Sequence, residues 1–288
     1  MTGFDPRLTP ARPDLAAASL RDRVEAPRFV EGTVQRVVWP RAALRKEPNP
    51  MASLVTEAIY GETATIYEID GEGWAWGQLD ADGYVGFMPA EALVAPGAAV
   101  THKVAAMSTP AFPGPSIKLP PEALLPFGAR VSIVREKDRF LVTDSGLHIF
   151  ADHLAPLDRF EADPVAVAAR FLGLPYLWGG RSSQGLDCSG LVQTALNACG
   201  VACPRDSDMQ EAALGEPVDF DGDISVLRRG DLVFWPGHVG MVEDADTLLH
   251  ATAYFMAVVR EPLGAALARI ASASAPVRTV KRLVGQIV

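Results

Sequence analysis

Two periodicities divide this chain. Between about residue 33 and residue 160 the apolar positions come in short runs cut by Gly/Asp turns. Val34, Val37 and Val38 suggest a strand. Ile66–Ile69, the turn Asp70–Gly73 and Trp74–Leu79 read as strand, turn, strand, and Asp82-Gly83 is a further turn ahead of Tyr84–Phe87. Short β-rich runs with such punctuation predict a small barrel. A weaker echo follows in Arg130–Arg135 and Phe140–Thr143, then the turn Asp144–Gly146 and Leu147–Ile149, with the proline-rich stretch 110–121 as loop. Ahead of these, residues 14–25 place Leu15, Ala18 and Val24 on one side of a short amphipathic helix.

After about 160 the period becomes helical. Asp163 is placed to cap a helix with Pro164 at its first position, where the missing N–H does no harm. Val165, Ala168, Ala169 and Leu172 line one side, and Gly173 stops it. A second helix starts at Cys188, with Leu191, Val192, Ala195, Leu196 and Cys199 on one face and Gly200 at its end. Leu232–Trp235, His238–Val242 and Leu248–Ala251 then read as strands. Helices followed by an antiparallel run of strands is the α+β order. The expected organisation is an N-terminal extension with a short helix (1–32), one small barrel (33–95), a second (96–160) and an α+β domain (161–288).

Composition narrows the function classes. With 288 residues, 49% of them apolar, the chain can build more than one core. A formal charge of −9, from 26 basic and 35 acidic residues, argues against a nucleic-acid surface. No run of about 18 apolar residues suggests a membrane span. Residues 1–14 are rich in Pro, Arg and Asp rather than showing a basic patch and an apolar run, so a cleavable signal is not expected. Three cysteines, Cys188, Cys199 and Cys203, give no disulfide framework and fit a reducing, cytoplasmic compartment. Cys199 and Cys203 are expected in the core.

The chemistry concentrates in three residues. Asp187-Cys-Ser-Gly190 is followed fifty residues after the cysteine by Gly237-His-Val-Gly-Met241, and His250 lies twelve residues further on. A helix N-terminus favours thiolate, and a nearby imidazole takes and returns the proton. Cys188 is the expected nucleophile, His238 the base on a strand that its glycines let approach closely, and His250 the group that holds one tautomer of His238.

These residues resemble the NlpC/P60 family of papain-like cysteine peptidases. The matching pieces are Tyr176-Leu-Trp-Gly-Gly180, Asp187-Cys-Ser-Gly190, Pro204–Gln210, Arg229–Trp235, Gly237–Met241 and His250. The resemblance implies the same roles for Cys188, His238 and His250, and makes Tyr176 a hydroxyl that helps the backbone N–H of Cys188 hold an oxyanion. It also implies Ser189 and Ser207 near substrate. Leu44–Pro48, Ser53–Glu57, Tyr60–Glu62 and Gly83–Phe87 look like a bacterial SH3 domain. That combination is similar to γ-D-glutamyl-L-diamino acid endopeptidases, which act on murein stem peptides with a free N-terminal L-Ala. A free α-ammonium needs acidic partners once desolvated. Asp206 is expected to supply one, or to cap the helix that follows it, or both. Glu47 and Tyr84 of the first barrel are expected to close the far end of the site.

The sequence thus predicts hydrolysis of the γ-D-Glu–diamino acid bond in murein-derived peptides, with no metal or cofactor, no nucleic acid and no membrane span. Two alternatives stay open: an amidase or acyltransferase using the same Cys/His pair, and a catalytically silent wall-binding SH3 module.

Overall fold

The computed structural model describes residues 4–283, which divide into two units, Met1–Asp158 and Arg159–Val288. In the first unit the alternation from Thr33 onward produces a seven-stranded antiparallel sheet. Its strands, in spatial order, are Leu93–Val94, Thr33–Val37, Thr63–Ile69, Trp74–Leu79, Val85–Pro89, Arg41–Arg45 and Leu54–Ile59. Every second residue points inward, so Val37, Ala42, Leu44, Ala64, Ile66, Ala75, Leu79 and Met88 form one core. The predicted strand–turn–strand around Asp70–Gly73 is present, with Asp70 accepting from the backbone N–H of Glu72 and of Trp74 at 2.9 Å each.

The weaker echo repeats this pairing order. His102–Val104 lies between Arg130–Val131 and Leu154–Pro156 in a three-stranded sheet, and a separate five-stranded sheet runs Ile133–Lys137, Phe140–Thr143, His148–Phe150, Ser108–Phe112 and Ala123–Pro126. In each half the first strand pairs with the last and with the fourth strand segment, and the second strand pairs with the third and the penultimate. Val104, Ala111, Leu125, Val131 and Ile149 fill the second core.

The helix expected over 14–25 is not formed. Leu15–Ala17 is a strand whose three residues are all buried, followed by a single 3-10 turn at Ala18–Leu20. A helix would have hidden only one side of that segment, whereas the pairing of Leu15–Ala17 between Ala11–Arg12 and Phe29–Val30 hides all three side chains.

In the second unit four helices accompany a six-stranded antiparallel sheet. They are α1 (Pro164–Ala169), α2 (Cys188–Ala198), α3 (Ser207–Ala213) and α4 (Leu263–Ala273). Asp163 caps α1 as expected, accepting from Val165 and Ala166 N–H. The sheet runs Glu216–Val218, Thr279–Arg282, Leu232–Trp235, His238–Asp244, Thr247–Thr252, Ala257–Pro262. Leu191, Val192, Ala195, Leu196 and Cys199 are all buried, so α2 is a core helix and its first residue has a fixed place. Leu263, Ala266 and Ile270 of α4 pack on Val233, Trp235, Val242 and Leu248 of the sheet. Among the described residues no helix is long and apolar enough to cross a membrane.

Candidate active site

Asp187 decides how Cys188 is held. As N-cap of α2 it accepts from Gly190 N–H at 2.7 Å, and its second oxygen accepts from Gly179 N–H at 2.8 Å. Arg205 donates to both carboxylate oxygens at 2.9 and 2.7 Å, to Ser189 Oγ at 3.0 Å and to the Gly180 carbonyl at 3.3 Å. The arginine is 1% exposed. A buried guanidinium is tolerable only when paired and hydrogen-bonded, and here it is both. Gly190 is required by the same packing, since a Cβ there would lie 2.2 Å from the Gly180 carbonyl oxygen. The loop 179–180, the cap and Arg205 together clamp the first turn of α2.

Cys188 is buried, and the backbone N–H groups of Val239, the residue after His238, and of Ser189 favour its thiolate. Burial, with the Asp187 carboxylate adding to it, pushes the thiol up to about 12, against the pull of those N–H groups and Arg205. Burial thus opposes the helix-stabilised thiolate expected from the sequence and favours the neutral thiol.

On the sheet side, Pro236-Gly237 turns the chain between Trp235 and His238, which pair across the hairpin. Gly237 sits at φ +73°, a conformation that favours glycine. His238 therefore starts its strand directly after a tight turn, its ring against Trp235 with centroids 5.5 Å apart. Its Nε2 is 3.0 Å from Nδ1 of His250. Nε2 of His250 is 3.2 Å from Oε2 of Glu261, and Arg269 holds that carboxylate through two bonds of 2.8 and 2.7 Å. Burial is the first cause lowering both rings, His238 to about 3 and His250 to about 4. The arginine beside Glu261 lowers its carboxyl from the ordinary value. Two neutral imidazoles thus lie in series with a carboxylate.

The remaining expected residues are placed as follows. Tyr176 is half-buried, its N–H bonded to the Met256 carbonyl at 2.9 Å. Burial, then the neighbouring Cys188 and Asp187, raise its phenol, which stays a donor. Ser189, expected near substrate, is buried, its hydroxyl donating to Asp187 at 3.3 Å and accepting from Arg205. Asp206 is half-buried at the N-cap position of α3, without a side-chain cap bond. Ser207 is the first residue of α3 and is half-buried. Glu47 is exposed in the turn between Arg41–Arg45 and Leu54–Ile59, and Tyr84 is buried in the core of the seven-stranded sheet. Both belong to the first unit. Arg205, Glu261 and Arg269 were not singled out by sequence reasoning. The apolar period Leu263, Ala266, Leu267, Ile270 was a legible sign of the helix that brings Arg269.

The model of the bacterial dipeptidyl-peptidase SH3 domain matches residues 44–93, and that of the NlpC/P60 family matches residues 173–266. A γ-D-glutamyl-L-lysine dipeptidyl-peptidase of Bacillus subtilis is 38% identical over 31% of this chain and 31% of its own. One from Bacillus cereus is 28% identical over 63% of this chain and 60% of its own. The matched stretches thus span between a third and three fifths of these relatives. A crystal structure of an NlpC/P60 family protein from Bacillus cereus superposes with a TM-score of 0.73, covering 88% of this chain and 100% of that one at 20% identity, which is a likeness of fold.

Proposed function

We propose that this chain, which carries an NlpC/P60 domain behind a bacterial dipeptidyl-peptidase SH3 domain, is a cysteine peptidase that cleaves the γ-D-Glu–diamino acid bond of murein stem peptides with a free N-terminal L-Ala. The observation that carries this reading is Cys188 at the capped head of α2, a helix packed on the strand of His238, whose ring is tied to His250 at 3.0 Å.

In this reading Cys188 Sγ attacks the γ-carbonyl of D-Glu while its proton passes to His238. The oxyanion takes hydrogen bonds from the Cys188 N–H and the Tyr176 hydroxyl. His238 then gives the proton to the departing α-amine of the diamino acid, leaving a thioester. Water attacks that thioester, gives a proton to His238 and releases L-Ala-D-Glu. The proton returns to sulfur as the C–S bond breaks. Because both partners start neutral, proton transfer accompanies attack rather than preceding it.

Asp206 is the partner proposed for the α-ammonium. It follows Arg205, whose guanidinium holds the cap of α2, so its backbone is tethered beside the helix that presents the thiol. A free N-terminus points to released muropeptides as the substrate class. The second half of the first unit is proposed as another SH3-like barrel, on the strength of its repeated strand order.

The test compares L-Ala-γ-D-Glu-diaminopimelate with its N-acetyl form. Blocking the amine should lower kcat/KM at least about tenfold, the loss of one charged contact of about 1.5 kcal/mol. Equal rates on the two peptides would remove the amine gate, and products other than L-Ala-D-Glu and diaminopimelate would remove the bond assignment.

A further inference from the structure

A neutral imidazole holds its proton on either nitrogen, and only one choice leaves His238 able to accept from Cys188. The choice can be followed from the far end of the chain of contacts. Arg269 donates Nε to Oε1 of Glu261 and Nη2 to Oε2. That clamp keeps Glu261 a carboxylate, which only accepts. Nε2 of His250, 3.2 Å from Oε2, must then carry the proton. Nδ1 of His250 is left with its lone pair, so the 3.0 Å contact to His238 is a bond donated by Nε2–H of His238. The lone pair of His238 is consequently on Nδ1, the nitrogen not engaged with His250.

We infer that Glu261, clamped by Arg269, is a positioning residue that sets the tautomers of His250 and His238 and so reserves Nδ1 of His238 for the thiol proton. The inference rests on Cys188 and His238 being the reacting pair.

The fold builds this line from three neighbouring elements. His250 pairs with Val259 and Leu248 pairs with Glu261 across adjacent strands, so the two polar side chains share a face, one step diagonal. Leu248 on that face packs against α4, the helix that supplies Arg269. The guanidinium also lies over the Tyr254 ring at 4.3 Å, which limits its freedom. His250 is 1% exposed, so water is a poor substitute for the carboxylate. Once His238 takes the thiol proton, its Nε2–H still donates to His250, and the carboxylate beyond offsets the new charge without itself being protonated.

Glu261→Gln separates this role from simple bracing of strand to helix. The amide offers one acceptor where the carboxylate offers two, and Arg269 claims it. The amide NH2 then faces Nε2 of His250 and moves that ring's proton to Nδ1. His238 turns over in its wake and loses the lone pair on Nδ1. In ¹⁵N spectra of the full chain at neutral pH, the unmodified protein should show both rings protonated at Nε2, and E261Q should show His250 protonated at Nδ1. E261Q should also lose at least about tenfold in kcat with KM within about twofold, as general-base help is worth roughly 10²–10⁴. Alkylation of Cys188 by iodoacetamide should slow in step. Arg269→Met, which loosens the clamp but leaves a carboxylate to accept from His250, should lower kcat by less than E261Q does and keep His250 protonated at Nε2. A proton on Nδ1 of His250 in the unmodified protein, or E261Q with unchanged tautomers and kcat, would overturn the inference. The spectra and the alkylation need no peptide. An error in the substrate assignment would therefore appear separately, as tautomers in the expected state with no cleavage.

Discussion

On the helix side of Cys188, the pair Asp187–Arg205 lies one residue from the sulfur, with side-chain exposures of 11% and 1%. On the sheet side, Glu261–Arg269 lies two imidazoles away, with exposures of 8% and 22%. Both are two-bond arginine–carboxylate pairs, yet they meet different needs. The near pair also ties down Gly179, Gly180, Ser189 and Gly190, so its bonds are spent on backbone placement. Its two charges act on the thiol in opposite senses, Asp187 raising it and Arg205 lowering it. The far pair touches no backbone of α2 and ends on a ring nitrogen. A charge close to the reacting atoms is neutralised and made structural, while a charge at a distance can set protons without trapping them.

The sharpest way to break this comparison is to remove each arginine. Arg205→Met leaves Asp187 uncompensated in a dry site and should cost about 3–5 kcal/mol in the denaturant unfolding transition of residues 159–288. Arg269→Met removes a partner that is itself 22% exposed, leaves Glu261 bonded to His250 and should cost less, about 1–3 kcal/mol. Equal losses would mean that the two pairs do the same job.

A smaller effect distinguishes the sides by pH. His238 and His250 are held neutral, with values near 3 and 4 against an ordinary 6.5. Below 6.5 the unfolded chain takes up protons that the folded rings refuse, so their contribution is full above 6.5 and is lost as pH falls toward 4 and 3. The Tm should therefore drop across that window. His238→Asn with His250→Asn should flatten the drop, whereas Arg205→Met should lower Tm without changing its slope there. A double-Asn variant with the original slope would contradict the burial account.

The helix side was the more legible in the sequence. Asp187-Cys-Ser-Gly announces a cap and a helix start, and both histidines stand in strand-like runs at the expected places. Legibility failed where a residue's meaning depended on a partner far along the chain. Glu261 reads as one charge in Val-Val-Arg-Glu-Pro until strand pairing sets it diagonal to His250. Arg205 reads as a surface cation until Asp187 closes over it. The opposing push on the thiol was hidden because a helix dipole can be inferred from sequence, but the depth of enclosure that opposes it cannot. Leu15–Ala17 misled for a related reason: three small apolar residues suit a helix face locally, and only pairing on both sides favours the strand.

The reacting pair itself is tested most directly by incubating the full chain and its Cys188→Ala variant with L-Ala-γ-D-Glu-diaminopimelate and weighing the products. The full chain should release L-Ala-D-Glu and diaminopimelate, and the folded variant should release neither. Unchanged turnover by Cys188→Ala would contradict the assignment of the sulfur as nucleophile and with it the mechanism built on that residue.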